Sequence, residues 1–318
     1  MGRSDTTKQR YSTTDGRVAR LAGERVLSLR ELNRALLERQ LLLERRKLSV
    51  PRAVERLCAL QAQYSPSPYI ALWLRVADFR KEQLTRALEQ RRVVKSSLFR
   101  GTLHITSTRD YPYFAAAWPR AAGTLAPLVH LPPSGTWRFH GRPELVAMQT
   151  WLAVELPTRE EGAVHLVRSY LAAFGPATQD DLLRFAGVRV GDVRPGLERL
   201  ELRRFRDEKG RVLLDLPRAP VPDGQTTAPV RFLPKWDSAL LAYAAPERTR
   251  ILPEQFRRTV IKPNGDVAPT VLVDGFVAAR WDIDRKGSLK IEPLRRLTKD
   301  ERAEVNEEGE RLREFFVD

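Results

Sequence analysis

The sequence holds one cysteine, Cys58, four histidines, and no run of about 18 apolar residues of the kind a transmembrane helix needs. A single thiol excludes an intramolecular disulfide and any multi-cysteine zinc site. With Leu57, Ala59 and Leu60 beside it, Cys58 reads as a small buried apolar residue and not as a reactive thiol. The histidines, His104, His130, His140 and His165, are scattered, and no two show the helical spacing of a zinc pair. Also missing are a G-x-S-x-G elbow, a Walker loop and a dinucleotide glycine fingerprint after a strand, so neither metal nor cofactor is expected. The N-terminal residues lack the apolar centre of a secretory signal. Residues 1–25 read as a flexible basic arm, and the protein as cytoplasmic.

Lysine is scarce as well. The chain has 45 arginines and 10 lysines against 40 acids, a formal charge of +15. Genome composition alone can produce such a bias, but the charge is unevenly placed. Residues 299 to 318 carry eight acids against four bases, which leaves +19 on the rest. A one-sided positive field steers polyanions, and nucleic acid leads that list.

What is present is punctuated helix and hairpin. At 318 residues two or three units are expected. "SLRELNRALLERQLLL" has Ser28 as a cap and Glu31 three positions on, which predicts a helix. A second helix starts at Ser49, with Pro51 in its first turn. Residues 80 to 92 form a third, followed by "VVKSSLFRGTLHITS", a hairpin broken near Arg100 and Gly101. The order recurs: a helix stopped by Gly175 and Pro176, a second capped by Thr178 with Asp181, a third containing Pro195 and Gly196, then strand, turn at Lys209 and Gly210, strand. Residues 80 to 106 and 178 to 216 are each expected to end in a helix and a two-stranded wing. After a proline-rich joint, Asp274-Gly275 and Lys286-Gly287 divide three apolar runs into a meander, and an acidic helix from Lys299 closes the chain with Val305, Leu312, Phe315 and Phe316 inward. The fold class is mainly α with β wings (α+β), two tandem winged-helix units plus a β-rich C-terminal part, divided as 26–130, 131–217 and 218–318.

"CALQAQYS", residues 58 to 65, raises the chemical question. Read as a continuation of the second helix, it sets Gln61 and Gln63 roughly 200° apart. Both reach one cleft only if the helix ends or unwinds there, and Tyr64 through Pro68 supply an ending. Two amides offer donors and acceptors without charge. The plain alternative is a pair of solvated helix-end residues, which spacing alone favours.

Five fragments, "LCALQAQYSPSPYIALWLRV", "LFRGTLHITSTRDYPYF", "YLAAFGPATQDDLLRFAG", "FLPKWDSALLAY" and "TVLVDGFVAARWDI", together resemble the winged-helix DNA glycosylases of the AlkZ type. The resemblance runs in order from about Ser28 to the C-terminal helix. Its active-site signature, Gln-x-Gln or Gln-x-Asp, falls on Gln61 and Gln63, with Ala62 as its small apolar centre. It implies tandem winged helices around a DNA-binding concavity and hydrolysis of the N-glycosidic bond of alkylated purines. Bulky or crosslinked N7-alkylguanine adducts, in repair or in self-resistance to genotoxic natural products, are the implied substrates. Double-stranded DNA is the expected partner, met by a monomer. No lysine is near the motif in sequence, Lys47 being closest, which disfavours a Schiff-base lyase step unless folding brings one in.

Other residues are candidates for the cleft or for DNA. Thr102 and His104 alternate onto one face of the hairpin and could line the cleft, and Arg100 could meet a phosphate, with structural roles an equal alternative for all three. Arg203, Arg204 and Arg206 on the second wing, and Arg285 and Lys286 at the last turn, are further DNA contacts. Asp237 could stabilise charge near the sugar or cap the following helix. Trp73, Trp118 and Trp236 could stack on bases, although most tryptophans should be core. A non-enzymatic winged-helix regulator would share this fold and charge.

Overall fold

Ser28 starts the first long helix as its spacing to Glu31 predicts. Its hydroxyl accepts the Glu31 N–H at 3.2 Å, and the Glu31 carboxylate accepts the Ser28 N–H at 2.8 Å. Two of the free donors at the helix start are thereby satisfied. In the computed structural model, which describes residues 24–118 and 127–317, this helix, α1 (Leu29–Arg39), follows a short strand, β1 (Val26–Leu27). Most of the expected basic arm, residues 1–23, lies outside the described residues.

The first winged-helix unit runs α2 (Val50–Arg56), β2 (Leu60–Gln61), α3 (Pro66–Trp73), α4 (Lys81–Glu89), β3 (Val93–Ser97), β4 (Leu103–Ser107). The predicted helix and two-stranded wing over 80–106 are therefore present, with Ser96 opposite His104 in the antiparallel pair. α5 (Tyr111–Ala117), β5 (Leu128–His130), β6 (Leu145–Ala147) and α6 (Met148–Leu152) follow. They extend the sheet to five strands in the order β2-β4-β3-β5-β6. The expected division at residue 130 runs through this sheet, because β6 shares backbone hydrogen bonds with β5.

The second unit repeats the plan with α7 (Arg159–Phe174), α8 (Gln179–Ala186), α9 (Val190–Arg199), and a wing of β7 (Arg203–Asp207) and β8 (Val212–Asp215). Thr178 and Asp181 form the predicted capping box. α9 continues through Pro195. Its neighbour Gly196 sits so close to α7 that a Cβ there would lie 2.6 Å from the Ala163 carbonyl oxygen, which explains a glycine inside a helix. β1 pairs in parallel with β7, so the strand before α1 belongs to the second wing's sheet.

The remainder is β9 (Arg231–Leu233), α10 (Ser238–Leu241), α11 (Arg257–Val260), β10 (Thr270–Val273), β11 (Phe276–Ile283), β12 (Leu289–Pro293) and α12 (Lys299–Val317). The four strands form an antiparallel sheet, β12-β11-β10-β9. Asp274 and Gly275 both take positive φ at the first turn, as a two-residue hairpin loop requires. α12 buries Val305, Leu312, Phe315 and Phe316, and Phe315 stacks on Trp73 of α3 at 5.6 Å. The acidic helix thus closes onto the first unit. A buried ion pair between Arg39 of α1 and Asp215 of β8, at 2.7 Å, ties the first long helix to the second wing. No helix among the described residues is long and apolar enough to cross a membrane.

Candidate active site

The chain is extended through Gln61 and bends at Gln63; neither glutamine is helical. α2 stops at Arg56, Cys58 turns the chain with φ +67°, and Leu60–Gln61 pairs antiparallel with β4. The expected continuation of this helix to Gln63 is corrected. The reason lies in Leu57, Cys58, Ala59, Leu60 and Ala62, all at most 4% exposed. A short run that is apolar on every side suits a buried strand as well as a helix, and pairing with β4 decides between them. The strand ends at Gln61 and Gln63 follows in a bend, where its backbone N–H is held by the Gln61 side chain. Ala62 points into the core.

Backbone donors hold both amides. Gln61 Oε1 accepts the Gln63 N–H at 2.9 Å, and Gln63 Oε1 accepts the Leu103 N–H at 3.2 Å. Ala62 N–H donates to the Leu103 carbonyl at 2.7 Å, continuing the β2–β4 ladder. Gln61 is 7% exposed, whereas Gln63 is open to solvent.

Gln61 stands opposite His104, and His104 stands opposite Ser96, so the three form a buried row across β2, β4 and β3. His104 Nδ1 lies 2.9 Å from the Thr102 carbonyl oxygen. Because a carbonyl only accepts, that nitrogen carries the proton and Nε2 is left with its lone pair. Burial, with the charge of Arg100 added, pushes the imidazole down to about 3, so it is neutral at physiological pH. Ser96 Oγ has no hydrogen-bond partner among the described residues. Thr102 precedes β4, and its hydroxyl donates to the Phe99 carbonyl at 3.1 Å.

The other sequence candidates separate into those near the glutamines and those engaged elsewhere. Arg285, on the β11–β12 turn, lies close enough to Tyr64 to act on it electrostatically, together with Asp282 and Lys235. Burial first, then Asp282, raise the Tyr64 phenol, while Lys235 and Arg285 act to lower it. Lys286 occupies the same turn and is exposed. Sequence reading missed Tyr64 and Lys235 as neighbours of the pair. Lys235 is brought in by folding, from 172 positions beyond Gln63, with its carbonyl accepting from the Ser67 hydroxyl at 2.8 Å. Its ammonium is paired with Asp266 at 2.7 Å and lies over the Trp236 ring.

Arg100 is engaged within the fold, in keeping with the structural alternative. It folds its guanidinium over the Phe185 ring, 5.3 Å from the centroid, and donates to the Phe185 carbonyl, latching the first wing to α8. Asp237 caps α10, accepting from Ala239 N–H at 3.0 Å, and forms a two-point pair with Arg75 at 2.8 and 2.9 Å. At 4% exposure it is a buried, paired carboxylate. Along β7, Arg203 turns inward to Asp215, whereas Arg204 and Arg206 face solvent. Arg206 pairs with Glu24 at 2.9 Å, and Arg204 has no partner among the described residues. Of the tryptophans, Trp73 packs on Phe315 and Trp236 donates to the Gly265 carbonyl at 2.9 Å. Trp118 is partly buried against the core. Among the described residues no cluster of three or more His, Cys, Asp or Glu is arranged to hold a metal ion.

The family model described as "DNA glycosylase AlkZ-like" matches residues 54–126 and 119–315. Among solved structures, Streptomyces sahachiroi DNA glycosylase AlkZ is similar at a TM-score of 0.75, with 18% sequence identity over 92% of this chain and 97% of that one. Among curated proteins nothing matches.

Proposed function

The chain belongs to the AlkZ-like family of DNA glycosylases, and we propose that within it this enzyme releases alkylated purines from duplex DNA, above all bulky or crosslinked N7-alkylguanines. One observation carries the reading: the groups gathered at the centre, Gln61, Gln63 and His104, are all uncharged. A normal purine leaves slowly without protonation, so an enzyme acting on it needs a strong general acid. Alkylation at N7 makes the base cationic and a good leaving group before the enzyme acts. A site of neutral, positioned hydrogen-bonding groups suits that substrate, and positioning supplies the acceleration.

The surroundings support the same reading. The exposed arginines on the second wing and the Arg285–Lys286 turn offer charge to a phosphate backbone. A bulky adduct cannot enter a snug pocket by base flipping, so the sugar is approached from an open cleft with the adduct left partly in the helix. Repair of such lesions, including self-protection against DNA-alkylating natural products, is the role that fits, carried out by a monomer in the cell interior. The test is to incubate the protein with duplex DNA carrying methyl, mustard-type and crosslinked N7-guanine adducts and to assay abasic sites. Enzyme-dependent abasic sites from cationic adducts and none from unmodified DNA are expected. No abasic sites above background from any cationic adduct would contradict the reading.

A further inference from the structure

Apart from the glutamine site, arginines from four elements line one cleft of about 670 Å³: Arg56 ends α2, Arg168 stands on α7, Arg199 ends α9 and Arg218 follows β8. All of them are exposed. The guanidinium groups of Arg56, Arg168 and Arg218 have no partner among the described residues, and Arg199 is paired with Glu160. Glu201 is the one acid among the described residues of the cleft wall. A buried charge fixes the walls to each other. Arg39 donates to the Leu171 carbonyl of α7 at 2.9 Å and to the Pro220 carbonyl of the loop after β8 at 2.9 Å, and it is itself held by Asp215 at 2.7 Å. Arg203, the second guanidinium on Asp215, donates to the Ala219 carbonyl. A loop pinned in this way presents Arg218 to a ligand at little cost in ordering. Arg39 and Arg203 together also exceed Asp215 in charge, so the support of the cleft has the sign of its lining.

Arg56 is shared with a second hollow of about 690 Å³. There Lys47 also lacks a partner among the described residues, and the acids Glu38 and Glu55 are paired with Arg46 and Arg52. Unpaired cations therefore run through both hollows. Resting on the glycosylase reading, which makes DNA the polyanion at hand, we infer that this groove is a second binding site for the phosphate backbone of duplex DNA, engaging it away from the lesion. Neither hollow is lined by Gln61, Gln63 or His104. The planar fork of arginine matches phosphate oxygens, and each phosphate neutralised releases counterions, so the groove contributes affinity that depends neither on damage nor on base sequence. A run of cations through two hollows favours a strand charged at every unit over an acidic peptide or a single small anion.

The experiment first measures binding to undamaged duplex, so that its outcome does not depend on base release. Wild type is compared with Arg56→Gln, Arg168→Gln and Arg218→Gln, singly and together, with unfolding midpoints as the control for folding. Each substitution is expected to reduce the slope of log K against log salt by about 0.9, so that between about 50 and 200 mM salt the combined variant loses roughly 40-fold less affinity than wild type. Hydroxyl-radical footprints on a duplex with a central abasic analogue then locate the contact. Protection of phosphates flanking the analogue is expected to disappear in the combined variant, with protection at the analogue itself retained. Slopes equal to wild type overturn the groove. Loss of protection at the analogue also overturns it, because that would place these arginines in the lesion cleft. Loss of binding to ATP or to poly-glutamate, with DNA affinity unchanged, would assign the cleft to a free phosphate or an acidic peptide instead.

Discussion

Gln61 and His104 face each other across the β2–β4 pair, both buried, with the imidazole held neutral and its Nδ1 proton fixed on the Thr102 carbonyl. The strand that carries Gln61 is therefore backed by a neutral residue.

This has a consequence for stability against pH. Burial lowers His104 to about 3 and, with Lys95 opposing a second charge, lowers His130 to about 4. An unfolded histidine titrates near 6.5. Between about pH 4 and 6.5 the unfolded chain binds more protons than the folded one, so stability is present above that window and lost as pH falls through it. The expected result is a Tm that drops steadily on acidification from pH 7 to 4.5, and less steeply in His130→Gln. A Tm that is flat or rises over that range would contradict it.

Asp237 and Arg75 form a buried two-point pair at the start of α10. Removing one partner strands the other charge, which costs about 3–5 kcal/mol. Asp237→Ala is expected to lose that much in denaturant unfolding, while the folded fraction, assayed at low temperature, releases base near the wild-type rate. A variant of normal stability with strongly reduced chemistry would return Asp237 to the active site.

Arg203 and Arg204 are adjacent on β7 but opposite in role. Arg204→Ala is expected to weaken duplex binding with little change in stability and to reduce the slope of log K against log salt by roughly 0.9, the value of one phosphate contact. Arg203→Ala breaks a pair with the buried Asp215 and is expected to lower Tm instead. Equal salt slopes for wild type and Arg204→Ala would remove that residue from the DNA surface.

Much of the architecture was legible because its punctuation is local. Ser28 with Glu31, Thr178 with Asp181, and the glycines at 210, 275 and 287 mark their elements within a few residues, and both wings stand where the repeated order put them. The site was legible only in part. Gln61 and Gln63 stood out as candidates only through family resemblance, and the strand that holds Gln61 depends on β4, more than 40 positions away, with no local pattern to distinguish it from a helix. Lys235 and Arg285 beside Tyr64 are long-range neighbours with no signal near the motif. The cap at Asp237 was legible from its place before the helix, whereas the partners Phe185 and Arg75, which engage Arg100 and Asp237, are 85 and 162 positions away and left no local signal.

The most direct measurement is single-turnover excision of an N7-alkylguanine by wild type, Gln61→Ala and Gln63→Ala, with protein in excess of DNA. Loss of roughly 10²-fold or more in rate for each variant is expected, as for residues that position or stabilise the reacting groups. Unfolding midpoints and DNA affinity should stay close to wild type, since Gln63 is open to solvent and the strand is anchored by Leu60 and Ala62. If both variants release base at the wild-type rate, the two amides are only the polar edge of a strand and the active site lies elsewhere.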